Sequence, residues 1–190
     1  MGSSHPRLLV NAALWALYLE QEFVYVGDAG VVDPSGQTRR MGVDLGLRWQ
    51  LLDWLYYSQD VNYAYARAFS MPSGEDYIPL APDWTAVGTL SISGRSDWLG
   101  SIQYRYLNHR PANEDNTIVA EGYTIVDANL GYQFQYFDLG INVQNLLNTK
   151  WKETQFATES RLFDEPTSVE EIHYTPGTPF FIKGVLRVKL

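Results

Sequence analysis

From Met41 onward the chain alternates apolar and polar side chains with a period of two, in one stretch after another. In Met41 to Gln50, the residues Met41, Val43, Leu45, Leu47 and Trp49 fall on one side, against Gly42, Asp44, Gly46, Arg48 and Gln50. Successive side chains of a strand point to opposite faces, so the segment has an apolar wall and a polar wall. A helix of the same composition would scatter Asp44 and Arg48 through its apolar stripe.

The pattern recurs in Trp98–Tyr106, where Trp98, Ile102, Tyr104 and Tyr106 oppose Ser101, Gln103 and Arg105. It recurs in Ile125–Phe134, in Phe137–Gln144, and in the last ten residues, where Ile182, Leu186, Val188 and Leu190 oppose Lys183, Arg187 and Lys189. Leu55–Phe69 and Thr85–Ser93 alternate less strictly, broken by Gln59 and Val87. The first segment, Leu8–Val26, is ambiguous. Asn11–Leu17 is Ala- and Leu-rich and favours helix on propensity, but the Phe23-Val24-Tyr25-Val26 run favours a long strand, which is the assignment made. The total is eight strands.

The connections between them alternate strictly. Short ones fall near Leu51–Trp54, Gly94–Asp97 and Gln135–Tyr136, and long ones span Gly27–Thr38, Ser70–Pro82, Asn108–Gly122 and Leu147–Pro179. An up-and-down sheet with every long loop at one end has the asymmetry of a transmembrane barrel. Alternation alone leaves open which wall is inside. A soluble lipocalin-like ligand-binding barrel turns the apolar wall inward, whereas a membrane barrel turns it out to lipid. Trp49, Tyr57, Trp98, Tyr106 and Tyr132 lie near strand ends, where interfacial girdles belong. Gly42, Gly46, Ser101, Asn129, Gly131 and Gly140 make the polar wall small, and the strand lengths suit a tilted crossing. These features favour the membrane orientation.

Composition narrows the function. The net charge is −8, so a nucleic-acid partner is not expected. Without Cys there is no disulfide scaffold, Cys-type zinc site or thiol nucleophile. His5, His109 and His173 share no metal-ligand spacing. The acidic pairs Glu75-Asp76, Glu114-Asp115, Asp164-Glu165 and Glu170-Glu171 lack the spacing of a calcium loop and suit solvated loops. No catalytic order of Ser, His and Asp, nucleophile elbow or phosphate loop is present, so no enzyme activity, cofactor or metal is expected. On the polar wall, Asp44, Arg48, Asp60, Arg105, Asp127, Lys183, Arg187 and Lys189 are expected to form a charge network filling the lumen, because unpaired buried charge is costly.

The carboxy-terminal third carries more specific motifs. Ile141-Asn142-Val143-Gln144-Asn145-Leu146-Leu147-Asn148-Thr149-Lys150-Trp151 resembles the penultimate strand and following turn of TonB-dependent outer-membrane receptors. Pro176-Gly177-Thr178-Pro179 before Phe180–Leu190 resembles that family's entry to its closing strand, although Leu190 stands where the family usually ends on an aromatic residue. Asn11–Gly30 and Pro34–Gly42 also resemble a receptor strand, loop and strand. The resemblance implies a location in the bacterial outer membrane, a lipid bilayer or detergent as partner, and the barrel-assembly machinery as a folding partner. Receptors of this family form 22-stranded barrels around a plug, and only their last eight strands are matched; no segment resembles the plug or the TonB box.

The expectation is therefore an all-β protein: an antiparallel up-and-down transmembrane β-barrel of eight strands with a polar, filled lumen. Residues 8–190 form the barrel, and residues 1–7 an unstructured leader without the features of an export signal. Phe180, Ile182, Leu186, Val188 and Leu190 belong to the strand that closes it by pairing with Leu8–Val26. The expected function is structural and membrane-embedded, as a monomer with no active transport of its own. The alternatives are a part of a larger TonB-dependent transporter barrel for iron chelates or other nutrients, and the soluble ligand-binding barrel.

Overall fold

The computed structural model describes residues 7–26, 31–34, 36–69, 71–94 and 97–189; His5 with the rest of the leader to Pro6, Gly27–Gly30 and Leu190 lie outside them. The described residues form strands and turns only. In chain order the strands are β1 (Leu8–Leu19), β2 (Phe23–Val26), β3 (Val31–Pro34), β4 (Thr38–Leu52), β5 (Leu55–Ala68), β6 (Trp84–Ile92) and β7 (Trp98–Leu107). They continue as β8 (Arg110–Pro111), β9 (Val119–Ala120), β10 (Tyr123–Gln133), β11 (Phe137–Gln144), β12 (Lys152–Ser160), β13 (Val169–Pro176) and β14 (Phe181–Val188).

Eight of these build one antiparallel sheet in the order β1-β4-β5-β6-β7-β10-β11-β14, each strand beside its predecessor in the up-and-down path. The register is what keeps the two walls intact. Gly46 sits between Asn11 and Asp60, Leu45 between Ala12 and Val61, and Asn129 between Ser101 and Asn142. A slip of one residue in any pair would have mixed the walls. Asn11–Leu17, the stretch with helical propensity, is strand because every residue from Leu8 to Leu19 has a partner on β4. Ladder pairing overrides local preference there.

The three tight connections link β4 to β5, β6 to β7, and β10 to β11, and the long ones all lie at the opposite end. Three of the long loops fold into hairpins of their own, β2–β3, β8–β9 and β12–β13. The even strand count brings the start of β1 and the end of β14 to the tight-turn end, with Leu8 opposite Trp49 and Val188 opposite Phe137.

Two expectations are corrected. Leu8–Val26 is two strands, since β1 stops at Leu19 and β2 belongs to a loop hairpin. The cause is Glu22, whose backbone N–H donates to the Gly36 carbonyl at 3.1 Å. Its carboxylate accepts from Thr38 Oγ1 at 2.6 Å and pairs with the Arg40 guanidinium, so the chain turns out of the ladder. Second, the ladder expected between Leu8–Val26 and Phe180–Leu190 is not formed among the described residues; β1 and β14 are the two edges of an open sheet. The barrel class is unchanged, but closure is not made by these terminal strands. Alternation sets which way side chains point, and it carries no information on how sharply a sheet curls.

Buried residues gather at the long-loop end. Thr38, Ala66, Ile78, Arg110, Ala112, Ala120, Ile125, Asn145 and Gln155 are all buried there. Along the sheet both walls stay open. On the apolar wall Leu14 is 84% and Leu186 64% exposed, with no second layer over them.

Candidate functional site on the polar wall and at the loop end

The continuous register puts Asp44 and Arg48 (β4), Asp60 (β5), Arg105 (β7), Asp127 (β10), Lys183 and Arg187 (β14) and Lys189 on the polar wall. They pair with neighbours along the sheet. Arg48 Nη2 donates to both Asp60 carboxylate oxygens at 3.0 and 2.9 Å, and Arg105 Nη2 lies 3.4 Å from Asp127 Oδ2. Asp44 accepts from the Asn62 amide. Lys189 Nζ is 2.7 Å from Asp138 Oδ1 and donates to the Phe134 carbonyl at 2.7 Å. Lys183 and Arg187 have no ion-pair partner among the described residues; Arg187 faces Asp138 across the ladder, but Lys189 takes that carboxylate. Asn62 and Asp138 are further members, which the same alternation places on this wall. The Arg48 and Asp60 side chains are 50% and 56% exposed, so this pair is worth no more than about 1 kcal/mol.

The more tightly built part is a clasp at the loop end, made by the two carboxy-terminal motifs folding onto each other. Asn145 and Asn148 adopt left-handed backbone conformations, with φ of 49° and 50°. Asparagine tolerates that region better than other residues with a Cβ. The Asn145 backbone N–H donates to Asp127 Oδ1 at 2.9 Å, so Asp127 holds the turn and Arg105 together. The Asn145 side chain, 1% exposed, donates to the carbonyls of Thr149 at 2.8 Å and Thr178 at 3.0 Å, and accepts from the Thr149 N–H at 2.8 Å. Trp151 Nε1 donates to the same Thr178 carbonyl at 3.0 Å, and the Gly177 N–H donates back to the Trp151 carbonyl at 2.9 Å. A Cβ at Gly177 would lie 2.0 Å from the Trp151 ring, so only glycine fits under it. Finally the Phe180 N–H donates to Asn148 Oδ1 at 3.1 Å, which delivers the chain into β14 with Phe181 opposite Gln144.

Around the clasp lies a rim of ion pairs and aromatic rings. Tyr123 packs edge-on against Trp151 with ring centres 4.8 Å apart, and the Arg105 guanidinium stands 5.9 Å from that indole. Lys152 pairs with Glu121 at 2.9 Å and lies 4.6 Å from the Tyr174 ring. Gln155, also 1% exposed, grips the Glu121 backbone with both ends of its amide, each bond 2.8 Å long. Burial pulls the Arg110 guanidinium below its ordinary range, and its Nη1 reaches the Glu121 carbonyl at 3.5 Å. Asn145, Trp151 and Gly177 stood in motifs already marked. Gln155 and Glu121 carried no sequence signal, because loop partners this far apart meet only after the sheet has formed.

On the apolar wall, Gln59, the residue that broke the alternation, is fully accommodated. Its Oε1 accepts from the hydroxyls of Tyr57 at 2.8 Å and Tyr104 at 2.5 Å, while its Nε2 donates to the carbonyls of Asp60 and Val87 at 2.9 and 3.2 Å. Gly88 makes the room, since a Cβ there would sit 2.3 Å from the Tyr104 ring and 2.6 Å from Gln59 Oε1. Gly88→Val is expected to cost about 2 kcal/mol by overpacking and by breaking these bonds; a urea titration of the refolded protein reads it. Gln59→Leu, which removes the polar group and its need for partners together, should cost less.

In the loop between β8 and β9, Asp115 is held below the ordinary carboxylate range, chiefly by the Thr117 hydroxyl at 2.7 Å and then by its N–H at 3.0 Å. A folded-state value below the unfolded one gives stability that is present above the unfolded pKa and lost as pH falls through the folded one. This loop should therefore keep its order at neutral pH and loosen only under strong acid. Thr117→Val should bring that loosening to higher pH, read by proteolysis of the loop.

His109 and His173 lie on separate loops; His173 Nε2 is 3.0 Å from Ser160 Oγ. Among the described residues no cluster of three or more His, Cys, Asp or Glu is placed to hold a metal ion. No helix among the described residues is long and apolar enough to cross a membrane, which says nothing of membrane strands.

With the sheet and its motifs placed, comparison with known families is decisive. The model of the family described as TonB dependent receptor-like, beta-barrel matches residues 4–146. The chain belongs to that family. Its members are transporters of the outer membrane rather than enzymes. Solved structures of receptor barrels share the fold. The ferric-catecholate import receptor Fiu of E. coli K12 superposes with a TM-score of 0.66 at 21% identity, over 95% of this chain and 25% of its own. The siderophore receptor PiuA of Acinetobacter baumannii gives 0.67 at 17% identity, over 95% of this chain and 26% of its own. The ferric citrate transporter FecA gives 0.69 at 16% identity, over 95% and 29%. The chain thus spans between a quarter and a third of the length of these receptors.

Proposed function

We propose that the chain is a membrane-embedded wall sector of a receptor-type barrel in the bacterial outer membrane. Its role there is structural: the apolar wall faces lipid, the polar wall faces the lumen, and the clasped loops crown the outer end. It has no active transport of its own, and the sheet is completed by further strands. The observation that carries this reading is the pair of unpaired edges, β1 and β14, on a sheet whose apolar wall is otherwise continuous. Backbone groups left unpaired in hydrocarbon are costly, so a lipid-facing sheet requires its edges to be satisfied. In the completed barrel the rim of ion pairs and aromatic rings around Trp151 would face the incoming solute. An iron chelate is the natural class, since relatives are named for ferric catecholate and ferric citrate.

The arrival of the start of β1 and the end of β14 at one end favours a second reading, a small monomeric barrel closed by its own eight strands and folded by the barrel-assembly machinery. Cysteines introduced at Ala12 and Gly184 separate the two. The sector reading predicts no intramolecular cross-link in detergent unless other barrel segments are supplied. Rapid intramolecular cross-linking at low protein concentration would establish the small barrel in its place.

A further inference from the structure

At its loop end the apolar wall changes from hydrocarbon to cation. Arg39 on β4 and Arg67 on β5 are direct ladder partners, and their register puts them on the side of Met41 and Tyr65. Like charges facing each other across a ladder are destabilising unless negative charge lies beside them. Arg67 has such a neighbour: Asp76 is 3.8 Å from its Nε, and the rings of Tyr77 and Tyr65 are 4.1 and 4.6 Å from its guanidinium. Arg39 has no carboxylate within ion-pair distance among the described residues. It rests against Tyr65 and Phe69 at 5.9 and 5.8 Å. Tyr18, its partner on β1, is 67% exposed, and Phe69 is exposed beside it.

We propose that Arg39 and Arg67, with Tyr18, Tyr65 and Phe69 around them, bind the phosphate of an anionic lipid in the outward-facing leaflet. The inference rests on the lipid-facing reading of the apolar wall. Amphipathic rings and long cationic side chains settle at headgroup depth, and the long-loop end is the outward end of a barrel of this kind. A cation without a carboxylate is complementary to a lipid phosphate there. The net charge of −8 gives the chain no general attraction to anionic surfaces, so any preference for them must come from a local patch.

The test is lipid retention. The full chain is refolded in detergent with complementing barrel segments supplied, and exchanged into phosphatidylcholine bilayers, alone or with lipid A. Wild type should retain lipid A through exchange, and millimolar inorganic phosphate should not displace it. Arg39→Gln, which leaves the Arg67–Asp76 pair in place, should lose about tenfold in retention. Arg39→Lys should keep most of it, and Arg161→Gln, in the exposed tip beyond β12, should be unchanged. Equal retention by Arg39→Gln, or displacement by free phosphate, would overturn the site. Entry into phosphatidylcholine with no preference for lipid A would also sink it while leaving the lipid-facing wall intact. Failure to enter any bilayer with those segments supplied would defeat both.

Discussion

Asn145→Ala should destabilise the folded chain by about 4 kcal/mol, the largest effect expected of a single truncation here. Three side-chain hydrogen bonds are lost at a site 1% exposed. Two of them leave the Thr149 N–H and carbonyl without their partner, at about 1–3 kcal/mol apiece before relaxation, whereas the Thr178 carbonyl keeps the Trp151 Nε1–H. Alanine is also held at a φ of 49°, where a Cβ costs about 1 kcal/mol. Asn145→Gly relieves that last penalty and should recover about 1 kcal/mol, so the two variants separate backbone strain from lost hydrogen bonds. The readout is the urea midpoint of the refolded form in detergent. Because Asn145 also anchors the Thr178 carbonyl, the Ala variant should expose the segment before β14 to protease sooner than the rest of the sheet. Equal stability of Asn145→Ala and wild type would mean that the clasp is incidental to folding.

The second large effect is an asymmetry between neighbours. Ile141 and Asn142 are adjacent on β11 and point to opposite walls. Ile141→Arg places a cation in lipid and should cost about 2–4 kcal/mol if it lies near the bilayer midplane. Asn142→Arg faces the polar wall beside Asn129 and should stay within about 1 kcal/mol of wild type. The ratio is informative because backbone, strand and neighbours are shared. In a soluble barrel with the apolar wall turned inward, Ile141→Arg would be harmful in plain buffer as well. On the present account the chain needs detergent or lipid to fold, so its penalty is defined only there.

Much of this architecture is legible in the residues. Period-two alternation assigns the walls, and the strict alternation of long and short connections assigns the two ends. The Asn145–Trp151 and Pro176–Pro179 motifs mark the place of the clasp. What they do together is not legible, since Trp151 and Gly177 meet only because β11 and β14 are neighbours. Gln59 looked like a fault in β5. The partner that explains it, Tyr104, lies 45 residues away and comes within reach only through the β5–β6–β7 register. By its pattern Glu22 belongs to a long strand, and its pairing with Arg40 turns the chain out of the sheet instead. Closure was the least legible feature, because the same alternation serves a tight eight-stranded barrel and a sector of a wider one.

The account rests on the apolar wall facing lipid, and the absence of native cysteine makes that directly measurable. Single spin labels placed in turn at positions 102, 103, 104 and 105 on β7, in the bilayer-embedded protein, report exposure to oxygen, which concentrates in lipid, and to a water-soluble nickel chelate. Positions 102 and 104 should be reached by oxygen, and 103 and 105 by nickel, with a period of two. The opposite phase, or one environment at all four positions, would contradict it.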